Sequence, residues 1–169
     1  DKATGADGSA TTGKKTSAAN DYRDAIKLYQ ELLRRYPARP GNDRVLYQLS
    51  HAYEQIGDLD GSLDALTRLI TAYPNTPGKD EVQFRRGEFL FSKKFYVESE
   101  QAYRSVAGIG DSSTYYEKAL NKLGWSLFKQ GRYDEGLDTF YIILDRKLAG
   151  RDTGGSLSDI PDLTPGDRE

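Results

Sequence analysis

Apolar residues return along this chain at three- and four-residue steps, separated by short polar breaks. Leu46, Leu49 and Tyr53 form one such stripe, and Leu120, Leu123 and Leu127 another. A second set follows each break, with Leu63, Leu66, Leu69 and Ile70 in one place and Leu137, Phe140, Ile143 and Leu144 in another. That spacing predicts amphipathic helices. Turns are marked at Gly57-Asp58, Lys94-Phe95 and Gly131-Arg132, and Pro74 and Pro77 break the chain before the next helix. The pattern also copies itself with a period of 37 residues: Tyr36-Pro37 returns as Tyr73-Pro74, Gly87 as Gly124, and Tyr96 as Tyr133. A fixed period in this range predicts one helix pair stacked repeatedly on itself, an all-α solenoid of antiparallel helix pairs.

Alignment by the period places unit starts at Asp43, Asp80 and Glu117, each an acidic residue suited to a helix N-terminus. The units then run 43–77, 80–112 and 117–148, with second helices from Leu59, Tyr96 and Tyr133. Shifted back once more, Tyr22, Ile26, Tyr29, Leu32, Leu33 and Tyr36-Pro37 match a second helix at 21–37. Its own first helix would fall at about 6–20, where Gly8 and Gly13 stand and no large apolar residue does. The expectation is therefore about seven helices, three full pairs and one unpaired second helix, within 21–150. Residues 1–20 are expected to be a flexible tail. Residues 151–169 are expected to be a tail or a linker to further repeats, or to fold back through Leu157, Ile160 and Leu163. Ser50, Gly87 and Gly124 share one column midway along the first helices, a place where glycine costs about 1 kcal/mol unless another helix approaches closely. The last pair ends at Leu148 with no polar cap, so Tyr141 and Leu144 are expected to be exposed.

Composition narrows the function. The net charge is −2, and the span between the two tails is neutral with mixed signs. It carries no basic footprint for nucleic acid and no basic amphipathic face for a membrane surface. No apolar run approaches the ~18 residues needed to cross a bilayer, so direct membrane insertion is not expected. The absence of cysteine removes disulfides, thiolate catalysis and cysteine-based zinc sites. The chain holds no Met and begins at Asp1, and it reads as a processed or excised fragment.

In the fourth unit, Leu120, Leu123-Gly124, Leu127, Gly131-Arg132-Tyr133, Gly136 and Phe140 together resemble the tetratricopeptide repeat. The second unit resembles it through Leu46, Leu49, Tyr53, Gly57-Asp58-Leu59, Ser62, Leu66 and Pro74. The third departs furthest, with Lys94 at the turn glycine and no closing Pro. The resemblance covers residues 21–148 and implies a right-handed α-solenoid that binds proteins. The 37-residue length and the Tyr-Pro endings resemble bacterial cell-envelope members, the lipoprotein of the β-barrel assembly machinery and the Tol-Pal coordinator. That resemblance implies a periplasmic or envelope scaffold, with the cytoplasm as the alternative.

Candidate chemistry is sparse. His51 is the only histidine, and alone it supports neither a metal site nor a Ser-His-acid arrangement. Gly8 with Gly13-Lys14 has the spacing of a phosphate loop, but Lys15 stands where Ser or Thr is required. No enzyme and no cofactor are expected. In the resembling family the remaining face of the first helices lines a concave groove. Its columns here are Tyr47, Phe84 and Asn121; His51, Glu88 and Trp125; and Glu54, Phe91 and Phe128. Five of these nine are aromatic, and exposed aromatics on a rigid surface anchor protein or peptide partners. The alternative for Phe84, Phe91 and Phe128 is packing against neighbouring helices. Arg85, Lys122 and Lys129 stand beside them as carboxylate binders, although the full clamp of chaperone-binding repeats is not evident. The second function expected is architectural: a segment of a longer solenoid that self-associates through its uncapped ends.

Overall fold

The computed structural model describes the backbone of residues 8–149 and the side chains of residues 19–149. Among the described residues the chain forms seven α-helices: α1 Gly8–Arg35, α2 Asn42–Gln55, α3 Leu59–Ala72, α4 Lys79–Ser92, α5 Tyr96–Ala107, α6 Tyr116–Lys129 and α7 Tyr133–Ala149. A single 3-10 turn, Gly110–Ser112, joins α5 to α6. Each helix packs on the next in chain order, giving an all-α solenoid. The second helices α3, α5 and α7 start 37 residues apart.

One segment differs from the expected tail. α1 begins at Gly8 and runs unbroken to Arg35, so Gly8–Asn20 is helical. Extending an existing helix adds one hydrogen bond per residue fixed, whereas a separate helix must be nucleated. The C-terminal half of α1, with Ile26 and Leu33 buried, supplies the nucleus, and the alanines and lysines at Ala10, Lys14, Lys15, Ala18 and Ala19 favour propagation.

The turns between paired helices need one residue in the left-handed region. Gly57 (φ 78°) and Gly131 (φ 79°) supply it, and Lys94 adopts the same conformation (φ 66°) at a cost glycine would avoid. Asp58 caps α3 by accepting from the Gly61 N–H at 2.8 Å. The loops between units are fastened at the same period. Thr76 donates to Asp43 at 3.1 Å, and 37 residues on Ser113 donates to Asp80 at 2.6 Å. Asn42, fully buried, donates to the carbonyls of Tyr36 and Pro37 at 2.7 and 3.1 Å, which ties the first Tyr-Pro ending to α2.

Within each pair a small residue on the first helix faces a large one on the second. A Cβ at Gly87 would lie 2.6 Å from the Tyr103 ring, and one at Gly124 would lie 2.6 Å from the Phe140 ring. Ser50 occupies the same column where the bulky counterpart is Leu66. The close approach expected from these small residues is thus an interlock of glycine and aromatic ring.

The buried core falls into two clusters. One joins Ile26, Leu33, Leu46, Leu49, Leu66, Leu69 and Val82, and the other Tyr103, Val106, Ala119, Leu123 and Leu127. Between them, α4 places Gln83 and Arg86 in columns that hold Leu46 and Leu49 on α2 and Leu120 and Leu123 on α6. Arg86 Nε donates to Thr67 at 3.1 Å, and burial holds its guanidinium below its ordinary pKa against the opposing charge of Glu98. Gln83 is buried and its Oε1 has no partner.

Two stability predictions follow from this packing. Gly87→Ala gains about 1 kcal/mol of helix propensity but overpacks Tyr103, a cost of about 1–3 kcal/mol, so urea unfolding should show net loss. Adding Tyr103→Leu, the arrangement of Ser50 with Leu66, should make the double variant more stable than the sum of the single changes. Gln83→Leu restores the leucine column and removes a buried unpaired acceptor, and should stabilise by about 1 kcal/mol in the same assay.

Candidate binding groove

The first helices α2, α4 and α6 carry the candidate residues on one face, because residues three and four apart share a helix side. At the N-terminal end of that face the side chains are locked together. Tyr47 donates to Glu81 at 2.7 Å, and Arg85 Nε donates to the same carboxylate at 3.0 Å. Arg85 Nη1 also reaches Glu54, 3.3 Å away on α2. His51 sits edge-on to Tyr47 with ring centroids 4.7 Å apart, its Nδ1 3.9 Å from Glu54. Burial, then the hydrogen bond to Glu81, pushes the Tyr47 hydroxyl up to about 12. The Tyr47 hydrogen bond and the Arg85 guanidinium hold Glu81 below the usual carboxylate range. These side chains already satisfy one another, so Glu54, Arg85 and Tyr47 act first as the staple between α2 and α4.

The middle of the face is built through the glycine gap. The Tyr103 ring passes Gly87, and its hydroxyl donates to Glu88 at 2.5 Å. Burial and the Glu88 carboxylate raise the Tyr103 hydroxyl far above its ordinary value. Lys122 donates to the other Glu88 oxygen at 3.2 Å and lies 5.8 Å from the Phe91 ring centroid. Phe84 is half-buried against Tyr103 and Tyr115, and Phe91 against Tyr96. An open depression of about 730 Å³ joins Phe84, Glu88, Asn121 and Lys122 with Lys118 and Ile143. Tyr47 lines a separate hollow of about 280 Å³ with Asp43, Arg44 and Glu81.

The C-terminal end is aromatic and open. Trp125 is 44% and Phe128 43% exposed, yet both are braced edge-on: Trp125 by Phe128 and Phe140, each with centroids 5.7 Å away, and Phe128 by Tyr133 at 4.8 Å. Both lie on α6 within two turns of Asn121 and Lys122, which line the depression.

The structure therefore gathers Phe84, Glu88, Asn121 and Lys122 around one depression and leaves Trp125 and Phe128 exposed beside it. It commits Tyr47, His51, Glu54 and Arg85 to a network, and Phe84 and Phe91 to partial packing. Glu81, Tyr103 and Tyr133 were not among the candidates. Tyr103 had a readable signal: a tyrosine in the column of Leu66 and Phe140, opposite a glycine, must send its hydroxyl somewhere polar. Among the described residues no group of three or more His, Asp or Glu side chains is placed to hold a metal ion, and no helix is long and apolar enough to cross a membrane.

Seven helices among the described residues, each packed on the next and repeating as helix pairs, define an α-helical repeat protein. Tetratricopeptide repeat models match residues 17–77, 47–114 and 118–146, and the chain belongs to the tetratricopeptide repeat family. Solved structures share the fold. A crystal structure of MamA superposes with a TM-score of 0.59 at 21% identity, over 79% of this chain and 72% of that one. A MamA structure labelled AMB-1 gives 0.57 at 22% identity over 79% of this chain, which spans 65% of its length. A putative kinesin light chain of Podosopora anserina with nearly identical repeats gives 0.60 at 10% identity, over 81% and 73% of the two chains. At these identities the likeness is one of fold. No curated protein matches the chain.

The network predicts an acid-sensitive staple. Glu81 has a folded pKa below its ordinary 4.5, so its contribution is complete above that value and is lost as pH falls through the folded pKa. Tyr47→Phe removes the first cause of that shift. Urea midpoints measured at pH 6 and pH 3 should differ less in Tyr47→Phe than in the parent; an unchanged difference would place the acid sensitivity elsewhere.

Proposed function

We propose that this chain is a non-enzymatic protein-interaction module that holds a peptide or protein segment across α4 and α6. Trp125 and Phe128 supply the apolar anchors, and Glu88, Asn121 and Lys122 the polar contacts that set register. The observation that carries the reading is the state of Trp125: a large aromatic left nearly half exposed while Phe128 and Phe140 fix its orientation. A braced aromatic loses little conformational freedom on binding, which is why such residues dominate interface energetics. The Tyr103–Glu88–Lys122 chain supports it, since a buried hydroxyl fixes the carboxylate and the carboxylate in turn holds the ammonium. Phe84 and Phe91 contribute the apolar floor through their exposed parts.

Membership of the family is consistent with a scaffold role, and the partner is a protein. An envelope location, implied by the Tyr-Pro endings, belongs to the same proposal; cell fractionation of the native protein tests it.

Binding partners captured on the immobilised chain from an envelope extract should be lost, with affinity weakened at least tenfold, in Trp125→Ala and Phe128→Ala. Unchanged circular dichroism would establish that the variants remain folded. Retention of the same partners by both variants would remove the groove from the account.

A further inference from the structure

The end of the solenoid carries a second surface, separate from the groove. On α7, Leu137, Tyr141, Leu144 and Leu148 recur at steps of four, three and four, which aligns them in one straight seam. All four are about half exposed, between 49% and 58%. Two of the four, Leu137 and Leu144, have covered counterparts earlier in the chain, whereas Gln30 and Arg104 in the Tyr141 column and Pro37, Pro74 and Asp111 in the Leu148 column are exposed. One, two and three periods before Leu137 stand Glu100, Leu63 and Ile26; Ile26 and Glu100 are each 7% exposed. Three periods before Leu144 stands Leu33, at 8%. The cover in the first unit is α2, whose Leu46 and Leu49 join the cluster of Ile26 and Leu33. In the third it is the end of α6 and the turn beyond it, from which Gln130 and Arg132 reach Glu100 at 2.9 and 2.7 Å. At Leu137 and Leu144 the α7 seam thus continues an interface that earlier units build with a following helix, and Tyr141 and Leu148 extend it with apolar residues where earlier units place exposed polar residues or proline.

The charges beside the seam define what kind of helix fits. Asp134, Asp138 and Asp145 lie along one flank, at spacings of four and seven, all exposed and without an ion pair among the described residues. Where Glu100 is met by arginine in the third unit, the α7 column holds Leu137, so the seam itself is apolar and the charge sits only on its edge. Two copies pairing α7 antiparallel would set these aspartates against one another, a like-charge contact that disfavours association. The free face of α1 is no better a match for a second copy. Its Leu28 is exposed, but Asp24–Lys27, Glu31–Arg34 and Glu31–Arg35 pairs surround it.

We infer that the α7 seam is a docking site for a single amphipathic helix supplied by another protein segment, with leucine-type residues along its seam and lysine or arginine on the edge facing Asp134, Asp138 and Asp145. The apolar seam supplies affinity, and the acidic flank selects the basic edge and speeds encounter.

The test uses the full 169-residue chain and a labelled synthetic helix of about 18 residues, long enough to span α7, with leucines at three- and four-residue steps and lysines on one edge. A control peptide carries glutamates on that edge. Fluorescence anisotropy should show the lysine peptide binding at least tenfold more tightly than the glutamate peptide, with the ratio shrinking as salt is raised. Leu144→Asp, at an exposed position, should abolish binding. The triple change Asp134→Asn, Asp138→Asn and Asp145→Asn should retain binding but lose the preference between peptides. Equal binding of the two peptides by the parent chain, or undiminished binding by Leu144→Asp, overturns the inference. So does a concentration-dependent dimer in sedimentation that Leu144→Asp dissolves, because the occupant is then a second copy.

Discussion

The structure depends on how closely the two helices of a pair approach. In the third and fourth units a glycine on the first helix leaves no room for a single extra carbon beside the ring of Tyr103 or Phe140. That contact fixes the depth at which α5 sits on α4 and α7 on α6, and so which residues of the first helices turn inward and which stay on the groove face. Trp125 is the direct beneficiary. It leans on Phe140, whose position is set by Gly124. The orientation of a surface aromatic is thereby specified by an interior glycine.

The third unit departs from its neighbours at every level, and the departures are related. Its turn residue is Lys94 in a left-handed conformation, its leucine columns hold Gln83 and Arg86, and its interlocking ring is a tyrosine. The second interrupts the apolar columns between the two core clusters. The third sends a hydroxyl to the surface. Its donation to Glu88, with Lys122 opposite, gives the groove a preorganised ion pair spanning α4 and α6. The unit that fits the repeat least well in its core contributes most to the polar part of the groove. That is the pattern expected when local consistency is traded for a site.

Much of this was legible in the chain. The period located the second helices, and the small-residue column of Ser50, Gly87 and Gly124 announced the close approach because a mid-helix glycine has a cost that packing must offset. The exposed Tyr141 and Leu144 followed from counting pairs. The helical reach of α1 back to Gly8 did not, because apolar periodicity is silent where a helix is extended by propagation rather than by packing. The groove was legible as a face but not as a set of couplings. Tyr47–Glu81, Arg85–Glu54 and Lys122–Glu88 join residues 31–34 apart in sequence, one helix pair apart in space. No local pattern distinguishes a side chain free to meet a partner from one that its neighbouring unit already holds.

The central claim is that a partner docks on the braced aromatic end of α6. Trp125 is the only tryptophan in the chain, so its intrinsic fluorescence reports that place alone. Titrating a purified partner that lacks tryptophan should shift Trp125 emission to shorter wavelength and shield it from acrylamide quenching, both saturating together with binding. Binding that saturates while the emission and quenching of Trp125 stay unchanged would contradict the account.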